Sequence, residues 1–162
     1  MTAFVWDTAI NITLGFEGGY VNNKNDEGGE TKYGISKKAY PDLDIANLTV
    51  EQAKEIYKRD YWDRCKCDFL PDSISISLFD FAVNSGTKRA IRYLQRALGV
   101  TIDGVIGNQT IGACNRIPQK YLFEKFIQYR LEYLMSLKGW QHFGKGWGRR
   151  VTALKSFCEK YL

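Results

Sequence analysis

The segment from Asp72 to Ser85 constrains this chain most. Ile74, Ile76, Leu78, Phe79, Phe81, Ala82 and Val83 surround a helical wheel on almost every side. A helix that is apolar nearly all round has to be buried, so other helices must enclose it. Its one polar strip, at helical spacing, is Ser73, Ser77, Asp80 and Asn84. Asp80 and Asn84 are candidates to line a substrate cleft, since a buried helix seldom carries polar groups without a partner. The alternative is that they bond neighbouring loops. Asp72 is the expected cap of this helix.

Helical periodicity dominates elsewhere. In residues 3–17, Trp6, Ile10 and Leu14 share one stripe and Val5, Ala9, Ile12 and Phe16 fill the adjoining sector. Gly18 and Gly19 end that helix. Thr49-Val50-Glu51-Gln52 is a capping-box sequence opening a helix with Ala53, Ile56, Tyr57 and Tyr61 on its apolar face. Further helices are expected around 88–98, ended by Gly99, and near 108–115 after a turn at Asp103-Gly104. A long helix opens with Pro118 in its first turn, and a last one carries Trp147, Val151, Leu154 and Cys158. Only 20–35 loses the helical period. Gly, Asn and Asp crowd it, and it is expected to form a small, irregular β-hairpin. The chain is mainly α, with one small hairpin after the first helix.

The chain has 162 residues, enough to bury a core without metal or disulfide. Cys65, Cys67, Cys114 and Cys158 fit no zinc spacing, so no metal is expected; the thiols are read as reduced, and Cys65 and Cys67 as incidental. No stretch approaches the roughly 20 apolar residues of a membrane span, so stable membrane insertion is not expected. The N-terminus lacks a basic segment followed by a long apolar run, so synthesis in the cytoplasm without a signal peptide is expected. A net charge of +5 and 14% aromatic residues suit an anionic partner or one made of rings. Lys145, Arg149 and Arg150 are candidates for contact with an anionic polymer, or a solvated helix face.

Glu17 breaks the pattern. On the wheel it falls between Trp6 and Ile10, on the apolar stripe, in the last helical turn. A carboxylic acid against apolar neighbours favours its protonated form, as a glycosidase requires to protonate a leaving oxygen. The alternative is a helix-end Glu turned to solvent. Asp26 and Thr31 follow on the hairpin, which can fold back and set a second carboxylate across a cleft. Alone, Asp26 would be a turn residue. Tyr20 and Tyr33 flank the hairpin, to stack on sugar faces or to pack the hairpin itself.

The stretch Phe16-Glu17-Gly18-Gly19-Tyr20-Val21-Asn22, followed by Asp26-Glu27-Gly28-Gly29-Glu30-Thr31-Lys32-Tyr33-Gly34-Ile35-Ser36, resembles the signature of the glycoside hydrolase family 108 muramidases. These are phage endolysins and related bacterial peptidoglycan hydrolases. The order Glu17, Asp26, Thr31 also resembles the triad of phage-type lysozymes, with a slightly shorter spacing to Thr31. Asn84-Ser85-Gly86, Leu94-Gln95-Arg96-Ala97-Leu98-Gly99-Val100 and Asp103-Gly104-Val105-Ile106-Gly107-Asn108-Gln109-Thr110 resemble the peptidoglycan-binding half that accompanies the family. Asn108 stands where that half usually has Pro, and a cap by Asn leaves the fold intact. Gly146-Trp147 resembles the family's C-terminal Gly-Trp element.

The resemblance implies a lysozyme-like helical fold. Residues 1–85 would form the catalytic half, with the hairpin at 20–35, and residues 86–162 a helical peptidoglycan-binding half packed into the same domain. It implies hydrolysis of the β-1,4 bond between N-acetylmuramic acid and N-acetylglucosamine. Glu17 would be general acid, Asp26 and Thr31 its catalytic partners, and Tyr20, Tyr33, Asp80 and Asn84 substrate contacts. No metal or organic cofactor is implied. The partner is peptidoglycan, reached in the periplasm or outside the cell after holin-type release or through a secretion apparatus, and a monomer is expected. Two other classes stay open: a wall-binding module without turnover, and a nucleic-acid-binding protein. The second lacks any recognised helix-turn-helix, zinc or RNP sequence.

Overall fold

A computed structural model describes residues 3–22 and 29–162. Among them are seven α-helices: α1 (Ala3–Phe16), α2 (Val50–Tyr57), α3 (Asp72–Ser85), α4 (Thr87–Leu98), α5 (Asn108–Arg116), α6 (Gln119–Ser136) and α7 (Trp140–Cys158). The β structure is a small antiparallel sheet, not a lone hairpin. Strands β1 (Val21–Asn22), β2 (Glu30–Lys32) and β3 (Ile35–Ser36) pair in chain order, with Val21 opposite Thr31 and Thr31 opposite Ser36. The third strand arises because Tyr33 and Gly34 both take positive φ, 53° and 80°, which reverses the chain in two residues. The mainly α, lysozyme-like expectation matches this architecture.

Helix α3 is central, as its composition requires, and packs against α1, α4, α6 and α7. Phe79 and Phe81 lie two residues apart, so they point to opposite sides and seed two aromatic clusters. On one side Trp6, Trp62 and Phe79 meet edge to face, with ring centroids 5.3–5.7 Å apart. On the other, Phe81 lies 5.8–6.0 Å from Tyr93, Phe126 and Tyr133, and Tyr93 lies 5.4 Å from Tyr133. Such aromatic contacts add to the burial of each ring.

The capping box at α2 forms as expected. Thr49 Oγ1 accepts from the Gln52 amide at 3.1 Å, and Gln52 Oε1 accepts from the Thr49 amide at 2.9 Å. Past Tyr57 the chain continues as a π-helical turn, Lys58–Trp62, where the Asp63 amide reaches back to the Lys58 carbonyl. Gly99, at φ 73°, ends α4.

Three cap expectations shift. Pro71 and Pro118 occupy the cap positions of α3 and α6, so Asp72 is the first helical residue, and its charge faces the positive end of the helix. Gly107, not Asn108, caps α5. The Asp103-Gly104 turn is fastened by Gln95, fully buried on α4. Its amide nitrogen donates to Asp103 Oδ1, the Val105 carbonyl and Thr110 Oγ1, and its oxygen accepts from the Gly104 amide. All four cysteines are free and buried. No helix among the described residues is long and apolar enough to cross a membrane.

Because Phe79 is fully buried at the meeting point of Trp6, Tyr57 and Trp62, Phe79→Ala should cost about 3–5 kcal/mol of unfolding free energy. Chemical denaturation monitored by tryptophan fluorescence would measure it.

Candidate active site

Helix α1 delivers Glu17 one residue beyond its last turn, where the Glu17 amide still donates to the Thr13 carbonyl at 3.2 Å. The apolar setting expected for this carboxylate is not what the fold provides. Its side chain is 20% exposed, and Oε1 accepts from Arg150 Nη1 of α7 at 3.1 Å. The helix ends before the wheel position of Glu17 is imposed, and a guanidinium occupies the space beside it.

Arg150 is a fork between two carboxylates. Its Nε and Nη2 donate to the two oxygens of Asp80 at 3.2 and 2.9 Å while Nη1 serves Glu17. Asp80 also accepts from Arg130 Nη1 of α6 at 2.8 Å and from Thr13 Oγ1 of α1 at 2.9 Å. Burial alone would raise the Asp80 carboxyl, but Arg130 and Arg150 together hold it below the usual carboxylate range. Burial pulls Arg130 down from its ordinary value, with Asp80 opposing. Burial acts the same way on Arg150, yet Asp80 and then Glu17 overcome it and raise that group.

Two expectations are corrected here. Asp80 is fully buried, with both oxygens taken by arginines and Thr13, so it stands behind the site instead of lining a cleft. Arg150 is no solvated cation on an exposed helix face. Its side chain is 12% exposed because α7 turns it inward over the Phe16 ring toward Asp80.

The turn after β2 closes the other side of Glu17. A Cβ built on Gly34 would lie 2.7 Å from Glu17 Oε2 and 2.5 Å from the Tyr57 hydroxyl, so only glycine fits. Tyr57 donates that hydroxyl to the Tyr33 carbonyl at 2.5 Å. Burial first, and then the nearby Glu17 charge, push the phenol well above its ordinary range, which keeps the proton on this bond.

The remaining candidates distribute as follows. Thr31 is half-buried in the central strand β2, and Tyr33 is half-buried at the turn against Glu17. Tyr20 is 46% exposed and donates to Glu30 at 2.6 Å. Asn84 is exposed at the end of α3 and accepts from Arg130 Nη2 at 3.3 Å. Asp26 lies outside the described residues. The structure therefore brings Glu17, Tyr33 and Gly34 together, ties Asp80 to them through Arg150, and sets Asn84 beside Arg130.

A groove of about 870 Å³ runs alongside, between the π-helical turn with Tyr40 and the start of α4 with Ser85, Gly86 and Tyr93. Its Tyr61 ring lies 5.6 Å from that of Tyr57, which links the groove to Glu17. Arg130, Tyr57 and Gly34 were not among the candidates from sequence, and Arg150 was one only for contact with an anionic polymer. One signal was available: a carboxylate on a helix that is apolar nearly all round demands cations, and Arg130 stands on the face of α6 that also carries Phe126 and Phe123.

Comparison with known proteins agrees with this geometry. Residues 10–86 match the family model described as Glycosyl hydrolase 108, and residues 89–152 match that of a predicted peptidoglycan domain. Among solved structures the chain is similar to SagA of Brucella abortus, with 32% identity and a TM-score of 0.89 over 99% of this chain and 97% of that one. No curated protein sequence matches. The chain belongs to the glycosyl hydrolase 108 family. It is a glycoside hydrolase, and the two matched segments together make it a peptidoglycan hydrolase.

Asp80→Asn should destabilise the protein by about 3–5 kcal/mol at pH 7, since it leaves two buried guanidinium groups short of a counter-charge. A carboxylate held low in the folded state contributes stability above its unfolded pKa. That contribution is lost as the pH falls through the folded value, so the gap to wild type should narrow below about pH 4. Denaturant titrations at pH 7 and pH 3 measure both.

Gly34→Ala should lower hydrolysis at least ~10-fold, because a Cβ at φ 80° displaces Glu17 or Tyr57, a loss consistent with misplacement of a catalytic group by about 1 Å. Release of soluble fragments from purified peptidoglycan is the measurement.

Proposed function

We propose that the enzyme is an N-acetylmuramidase, cutting the β-1,4 bond between N-acetylmuramic acid and N-acetylglucosamine with Glu17 as general acid. The observation that carries this reading is the placement of Glu17. Its carboxylate stands at the end of α1, between the Tyr33–Gly34 turn and Arg150, partly open to solvent and within the segment matched to Glycosyl hydrolase 108.

Glu17 donates its proton to the leaving oxygen at C4 of N-acetylglucosamine as the bond from C1 of N-acetylmuramic acid breaks. Asp26, assisted by Thr31, takes a proton from the attacking water, whose oxygen bonds to C1. The product ends in a reducing muramic acid. Arg150 is the positioning residue. It is anchored to Asp80 by two donors and so directs Glu17 through the third, whatever the proton on Glu17 does during turnover. Tyr33, in the turn that abuts Glu17 through Gly34, and Tyr20, exposed just before β1, supply ring faces for sugar. Asn84, exposed at the end of α3, offers an amide to substrate.

Mass spectrometry of fragments released from peptidoglycan tests the bond. Reducing-end muramic acid is expected, and reducing-end glucosamine would replace this reading with a glucosaminidase. In the same assay Glu17→Gln should lose at least ~10²-fold activity while remaining folded, because an amide cannot serve as the acid. Asp26→Asn should fall by a comparable factor.

A further inference from the structure

The groove beside the active site carries a charge that a neutral sugar chain does not call for. Arg64 on one wall and Lys88, Arg89 and Arg92 on the other all line it. Arg89 is committed elsewhere, donating to the Ser85 carbonyl at 3.2 Å and lying over the Tyr133 ring. Arg64, Lys88 and Arg92 are exposed and form no ion pair among the described residues. The one carboxylate in the lining, Asp60, is already taken. It accepts from the Tyr40 hydroxyl at 2.6 Å and from Arg59 at 2.8 and 3.0 Å.

The loop below the cations is built in keeping with this. Gly104 passes so close beneath them that a Cβ there would lie 3.0 Å from Lys88 Cγ and 3.4 Å from Arg92 Nε. The neighbouring Asp103 carboxylate pairs with neither of them; its Oδ1 accepts from Gln95 at 2.8 Å and from the Val105 amide at 3.0 Å. The turn therefore packs against two cations without forming an ion pair to either among the described residues.

We propose that this groove binds the carboxylates of the peptide stem attached to the muramoyl sugar, so that the enzyme prefers glycan bearing acidic stems. The inference rests on the muramidase reading. N-acetylated sugars bring no charge to Arg64, Lys88 and Arg92, whereas stem peptides carry free carboxylates. A stem is also tied covalently to the sugar being cut, so it has to lie within reach of Glu17. The groove does, through Tyr61, Tyr57 and Gly34. Tyr61 and Tyr93 provide apolar walls for the stem's short side chains.

The test compares two substrates with the same glycan and stem length: native peptidoglycan, and the same material with its carboxylates amidated by excess ammonia and a carbodiimide. An exposed charge pair contributes a factor of a few, so losing three together should cost about tenfold. Wild type should therefore cleave the amidated substrate about tenfold less efficiently, mainly through KM. The triple variant Arg64→Gln, Lys88→Gln, Arg92→Gln should show that loss on native substrate and match wild type on amidated substrate. Equal rates of wild type on both substrates would overturn the proposal. So would a triple variant equally impaired on both, which would mean that the three side chains act through neutral contacts or the fold and not through substrate carboxylates. Failure of the underlying reading shows differently, as reducing-end glucosamine from either substrate.

Discussion

Arg150 donates to two carboxylates, one at the end of α1 and one within α3, and the candidate active site depends on that arrangement. Its side chain comes from α7, far along the chain, yet it fixes Glu17 at the end of α1 and Asp80 in the middle of α3. Arg130 of α6 and Thr13 of α1 complete the set around Asp80. Four helices thus converge on one buried carboxylate. Two cations and two carboxylates lie close together in a weakly polar interior, where an unpaired charge would be costly. Loss of any one member leaves the others uncompensated, so the network ties the position of Glu17 to the integrity of the whole helical assembly.

This coupling explains why α3 is so apolar and yet carries an aspartate. Phe79 and Phe81 bind the helix into aromatic clusters on opposite sides, one toward α1 and the π-helical turn, the other toward α4 and α6. Asp80 lies between them in sequence and turns toward the two arginines. Apolar packing supplies the burial, and burial makes the ion pairs selective for one geometry. The two matched family segments therefore share one core helix, and the segment matched to the peptidoglycan domain contributes both arginines on Asp80, one of which also holds Glu17.

The small sheet serves the site through its second turn. Tyr33 and Gly34 reverse the chain with two positive φ angles, and the absence of a Cβ at Gly34 lets backbone approach the Glu17 carboxylate and the Tyr57 hydroxyl together. The π-helical turn after α2 widens the next segment and presents Tyr61 to the groove. Sugar and stem would then meet adjoining surfaces, one partly open at Glu17 and one basic beside it.

Local pattern determined much of this. The helical periods, the capping box at Thr49, the left-handed stop at Gly99 and the centrality of α3 are properties of short segments, so they stand in the order of residues. The Glu17-Gly18-Gly19-Tyr20 motif and the glycine-rich stretch after it were equally legible, because the family pattern is concentrated in a few consecutive residues. What only the tertiary structure decided was the company those residues keep. Periodicity put Glu17 on an apolar stripe, Asp80 on a cleft and Arg150 on a wet face. The fold gave all three a different setting by bringing Arg150 to both carboxylates, across 70 and 133 positions of chain. A wheel assigns a side chain to a face, but a charge is stabilised by whichever opposite charge arrives beside it, and that depends on how the helices cross.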